Sequence, residues 1–262
     1  MQRLILAIVA IVAWPVVAAA DDTMADMNMS ASSSSSSSDI SASLALVAAS
    51  YSQLNFGGDY EGAVPQLMWM HGRWMAGASI GLYRIFENGV QTYGPGDLMV
   101  HGSVELIETE SVRAGVAVMA SAPTGNMYEG FGMGGPMLMP SAWASWKVQR
   151  VTLSGSGGWG GMLAGGMSDD TGKMMMMSII NPMNQSELEW SAAADVAIAS
   201  GVHGGVGGSG GIPVGESGID RVIGAVRLGW GKGRIDTSAE LQVGFVGDPF
   251  KVRGLVETGL HF

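Results

Sequence analysis

The sequence predicts an all-β protein: a transmembrane antiparallel β-barrel of about twelve strands behind a disordered N-terminal tail. Three observations predict it. From about Ser41 onward, segments of roughly ten residues alternate in polarity between Gly-rich or polar breaks. The breaks sort by parity, long after odd-numbered segments and short after even-numbered ones, as when all long loops lie on one side of a membrane. The charged fraction is 14%, against roughly 25% in soluble domains.

That low charge, with 41 Gly, does not suit a cytosolic enzyme. The absence of Cys excludes a disulfide scaffold, a thiolate zinc site and a Cys nucleophile. A formal net charge of −10 argues against nucleic acid as a partner, since such a partner demands a basic face.

Residues 1–20 read as a secretory signal peptide. Arg3 gives a basic start, Leu4 to Ala13 an apolar centre, and Ala18-Ala19-Ala20 a cleavage site before Asp21. The apolar run falls short of the ~20 residues of a membrane span and contains Pro15. Residues 21–40 are acidic, contain Met and then run almost entirely in Ser, so they bury no core and form the disordered tail. Residues 41–262 form the barrel.

Strands are expected near 42–56, 62–71, 73–84, 97–107, 111–122, 141–148, 151–160, 186–199, 202–210, 219–230, 233–246 and 251–262. The last is clearest: Val252, Val256, Leu260 and Phe262 lie on one face, and Arg253, Glu257 and His261 on the other. The expected long breaks are Glu87 to Gly96, Pro123 to Pro140, Gly161 to Gln185 and Gly211 to Gly218. The short ones fall at Thr109-Glu110, Gln149-Arg150, Gly201 and Gly231-Lys232. Trp74, Trp146 and Trp230 sit next to short turns, and Trp159 and Phe245 near the opposite ends, as an aromatic girdle requires. The terminal Phe262 inside an alternating strand resembles the C-terminal assembly signature of bacterial outer-membrane barrels. That resemblance implies outer-membrane lipid and the barrel assembly machinery as partners.

Two glycine motifs carry no chemistry. Gly205, Gly207 and Gly210 satisfy G-x-G-x-x-G, and Gly207 to Gly211 satisfies G-x-S-x-G. Both lie in a Gly tract with no following helix pattern.

Methionine is the unusual component, with 20 in the chain beside 4 His. By strand parity Met68, Met70, Met75, Met99 and Met119 face the lumen together with His101, Glu105 and Arg113. Met133, Met137 and Met139 fall in an expected external loop. Thioether sulfur suits Cu(I). The expected copper ligands are therefore Met68, Met70, Met75, Met99 and His101, with Met133, Met137 and Met139 as a collecting loop. Met as flexible apolar filler stands beside this reading.

The opposite wall is ionic, with Glu187, Glu189, Asp195, Arg221, Arg227, Arg234, Asp236, Glu240, Arg253 and Glu257 inward by parity. A salt-bridge network that stiffens the barrel is expected there, in preference to a substrate-selecting ladder.

Gly94-Pro95-Gly96-Asp97-Leu98 and Ala122-Pro123-Thr124-Gly125-Asn126 resemble the G-x-G-D-L and P-T-G-D landmarks of the outer-membrane transporter family of the meta-pathway of phenol degradation, with Asn126 in place of the acid. The resemblance implies passage of small hydrophobic or aromatic solutes. The expected function is thus an outer-membrane channel or transporter for small solutes, without a resident cofactor. Copper binding or transport is one alternative. An outer-membrane enzyme is another, for which His101 and Ser103 are too weak a pair to assign a catalytic residue.

Overall fold

The computed structural model describes residues 38–53, 56–163, 178–215, 218–247 and 250–262. The expected signal peptide and nearly all of the expected tail lie outside these residues. The fold is a closed antiparallel barrel of twelve strands, each paired with its sequence neighbours, and β1 pairs β12 to close it. The strands are β1 (Ser38–Gln53), β2 (Phe56–His71), β3 (Trp74–Glu87), β4 (Val90–Glu108), β5 (Val112–Ala122), β6 (Met137–Val148), β7 (Val151–Met162), β8 (Ser186–Ala199), β9 (Val202–Pro213), β10 (Arg221–Lys232), β11 (Ile235–Val246) and β12 (Phe250–His261). Closure leaves no sheet edge unpaired.

Several strands begin earlier than expected: β1 at Ser38, inside the expected tail, β2 at Phe56 rather than residue 62, and, at two prolines, β4 and β6. The long break expected over Glu87 to Gly96 is a two-residue turn, Asn88-Gly89, with φ of 49° and 83°. Positive φ at both positions matches the twist of the flanking strands. Pro95 stands opposite Leu82 within the ladder, next to a register shift between Ile80 and Leu82. The sixth strand begins at Met137 rather than Ser141. Pro140 does not end it. The β5 ladder runs unbroken through Pro140, while the β7 ladder skips Met139 and Pro140, where the missing N–H falls.

The even-to-odd connections are all short, and the long loops, 123–136 and 163–185, join β5 to β6 and β7 to β8. The barrel therefore has a short-turn end, which also carries both ends of the barrel chain, and a long-loop end.

The outer face is predominantly apolar, with Leu67, Trp74, Val226 and Leu228 all exposed, and toward the long-loop end of β2 and β3 it carries the Glu61–Arg84 ion pair at 3.0 Å. Trp74, Trp146 and Trp230 point outward beside short turns, and Trp159 and Phe245 point outward near the other end. Trp69 adds to the first ring and stacks on His71, ring centroids 5.9 Å apart. A barrel in water would hide such a surface. A barrel in lipid needs it, with aromatic residues at both interfaces.

Candidate functional site

The described side chains that face the lumen divide into three parts. The first is an apolar cluster of Tyr60, Tyr83, Ile85, Phe250 and other wall residues, joined by Phe131, Ile179 and Ile180 from the two long loops. Tyr60 meets Tyr83 edge to face at 6.3 Å. Phe131 reaches inward because Gly94 opposite has no side chain: a Cβ there would stand 2.8 Å from the Phe131 ring.

The two sequence landmarks meet here. The carboxylate of Asp97 accepts the N–H of Gly125 at 3.0 Å and of Met133 at 2.8 Å. The hydroxyl of Thr124 donates to Gly96 O and accepts from Leu98 N, each at 2.8 Å. Their role is to staple the β5–β6 loop to β4. Farther along the same loop, Gly130 O accepts the Ile179 N–H at 3.0 Å and the Ser178 hydroxyl at 3.2 Å. The two long loops thereby hold each other inside the barrel mouth.

The second part is the ionic wall. Arg227 grips Asp195 with two bonds, Nε to Oδ1 at 2.7 Å and Nη2 to Oδ2 at 2.5 Å. Asp195 is on β8 and Arg227 on β10, with Gly205 of β9 between them in register. A Cβ on Gly205 would stand 2.1 Å from Asp195 Oδ1, so the bridge requires glycine there. The Gly tract of β9 that satisfied two motifs is a strand over which β8 carboxylates reach β10 arginines. Glu187 and Arg221 form a second such bridge, at 2.5 Å. Arg113 pairs with Glu105 through Nε to Oε1 at 2.7 Å and a second contact from Nη2 to Oε2. Glu240 stands across from Arg227 and accepts from Gln242 at 2.5 Å. Gln242 in turn accepts from Arg253 Nε at 2.6 Å, and the Arg253 guanidinium lies 4.2 Å over the Phe250 ring. Glu257 faces inward on β12 opposite Ala45 and Ser238. Arg234, expected inward, lies in an exposed turn. Gln242 shares the inward parity of Glu240 on β11 and, though uncharged, joins the ionic wall through its amide.

The third part is methionine. Met99, Met119, Met137, Met139 and Met183 form one buried cluster, and Met133 and Met162 pack against it. Met119 and Met139 are direct partners across β5 and β6, and Met137 and Met162 across β6 and β7. His101 stands directly across from Met119. The structure thus moves Met137 and Met139 from an expected collecting loop into a lumenal strand. It also adds Met119, Met162 and Met183 to the group. Met70 and Met75 face each other across β2 and β3, and Met68 lies across from Gly77. These three lie nearer the short-turn end, outside the cluster. His101 and Ser103 lie two apart on one inward face of β4.

Solved structures share this architecture. The translocator domain of the autotransporter NalP from Neisseria meningitidis is similar at TM-score 0.56 and 12% identity, covering 92% of this chain and 93% of that one. The NanC porin is similar at TM-score 0.56 and 9% identity, covering 86% and 99%. The KdgM porin is similar at TM-score 0.51 and 8% identity, over the same shares. The fold is that of the outer-membrane β-barrels. No protein-family model matches this chain, and neither does any curated protein sequence.

Proposed function

We propose that the protein is an outer-membrane channel or transporter for small hydrophobic or aromatic solutes, with its outer mouth closed by the β5–β6 loop. The observation that carries this is the pairing of an apolar, aromatic-ringed outer wall with an apolar lumen cluster of wall residues into which both long loops fold Phe131, Ile179 and Ile180. The short-turn end is then periplasmic, and the long loops are external. The porins of similar fold, and the resemblance to the phenol-pathway transporters, support the channel class. The Tyr60, Tyr83, Phe131 and Phe250 lining supports an apolar solute, because water-filled porins carry polar interiors.

The Asp97–Thr124 staple contributes four hydrogen bonds. At about 1 kcal/mol each, and somewhat more for those to a carboxylate, they hold the loop by a few kcal/mol. Release of the loop is therefore within reach of thermal opening. Planar-bilayer conductance and vesicle permeation by a small aromatic test this, comparing the wild type with an Asp97→Ala/Thr124→Ala variant. The variant should conduct more and for longer. Failure of both proteins to pass either ions or the aromatic would end the channel reading.

A further inference from the structure

The two apolar clusters in the lumen do not mix. The one at the β1–β3 and β10–β12 walls contains Ala, Val, Tyr, Ile, Phe and Leu and no Met. The other contains nothing but Met. Filler methionine, used to close irregular gaps, would be scattered among β-branched and aromatic neighbours. Here β4, β5, β6 and the β7–β8 loop each send thioethers to one place.

A second observation points the same way. His101 is 9% exposed and makes no hydrogen bond or ion pair among the described residues. An imidazole so buried ordinarily satisfies its ring nitrogens. The ring is given room by Gly77, where a Cβ would stand 2.5 Å from Cε1 and 2.6 Å from Nε2. Its register partner on the other side is Met119, and Met99 lies two residues along the same inward face. Imidazole nitrogen and neutral thioether sulfur together form a ligand set for a soft, low-charge cation. Negative charge lies close by. Glu189 Oε1 and Met183 Cε stand 2.4 Å and 3.3 Å from the point a Gly160 Cβ would occupy, and Met183 belongs to the cluster.

We propose that the cluster of Met99, Met119, Met137, Met139 and Met183, with His101, is a binding site for Cu(I). Thioether does not titrate and survives an oxidising compartment, where thiolate would not serve. Met133 and Met162 lie at its outer edge. Met68, Met70 and Met75 continue a line of sulfur past His101 toward the short-turn end. Glu189 offsets the charge of the ion. The ion enters already reduced, so no electron transfer is involved.

The test is an anaerobic Cu(I) titration of the purified full-length barrel against a chromophoric Cu(I) chelator. The comparison protein is Met119→Leu/Met139→Leu, a swap that keeps side-chain volume and spares the fold. Heat-modifiable migration on gels verifies that both are barrels. Other Met, such as Met24, Met27 and Met29, are the same in both proteins. Wild type should hold Cu(I) against the chelator, with sulfur and one nitrogen scatterer in its copper-edge X-ray absorption. The variant should bind at least about tenfold more weakly, the smaller effect of losing even a supporting group. Equal retention by both proteins, loss of all Cu(I) to the chelator from wild type, or a spectrum with oxygen and nitrogen alone would each overturn the site. Solute conductance does not enter the readout, so this test and that of the channel fail independently.

Discussion

Replacing Glu187 with alanine probes how the lumen and its loops are held together. Glu187 is fully buried at the long-loop end of β8. Its carboxylate accepts from Arg221 Nη2 at 2.5 Å, from the Asn184 N–H at 3.1 Å and from Asn184 Nδ2 at 2.5 Å. Asn184 passes the connection on: its Oδ1 accepts the Ile219 N–H at 3.0 Å and its Nδ2 donates to Ile219 O at 3.1 Å. One carboxylate thus ties two strands and two loops. Removing one partner of a buried ion pair costs about 3–5 kcal/mol, because the other charge stays out of water. That is roughly two to four decades in the folding equilibrium. Removing both charges, as Glu187→Leu/Arg221→Met, restores about 2 kcal/mol of the loss. A residual of about 1–3 kcal/mol remains from the stranded Asn184 groups. Urea unfolding in lipid vesicles, followed by Trp fluorescence, measures both. The reasoning fails if the single variant loses less than about 1 kcal/mol, or if the double variant is as unstable as the single.

Two further outcomes concern the outer wall. Val226 lies mid-strand on β10 and points outward, so Val226→Arg should cost about 2–4 kcal/mol in vesicles if that face meets the hydrocarbon core. Stability equal to wild type in the same urea assay would mean that the face does not. Phe262 is exposed, and its N–H donates to Ile40 O at 2.8 Å across the closing seam. Deleting it should lower outer-membrane levels in cells, measured by blotting of membrane fractions, while refolding into vesicles stays unchanged. Undiminished levels would remove the assembly role proposed for it.

The barrel was legible in the sequence because its strongest constraint is local. Alternation with period two places Leu228 outside and Arg227 inside from their order alone, and a membrane punishes any slip in that order. The lumenal direction of Met99, His101, Glu105, Arg113 and Arg253 follows from the same rule. Pro95 and Pro140 fall within breaks that the sequence predicts but lie inside β4 and β6. Only the pairing geometry shows that the missing N–H falls at a break in one ladder while the strand continues along the other. The Gly tract of β9 carried no legible purpose either, since the Asp195–Arg227 bridge that needs Gly205 joins two other strands. Which methionines meet depended on the stagger of β4 through β7 and on a loop turned inward with Met183, and neither has a period in sequence. Phe131 and Ile179 were ordinary loop residues until the fold put them inside. Direction relative to the wall is a property of each strand. Company inside the wall depends on register between strands and on where the loops fold, which only the closed barrel decides.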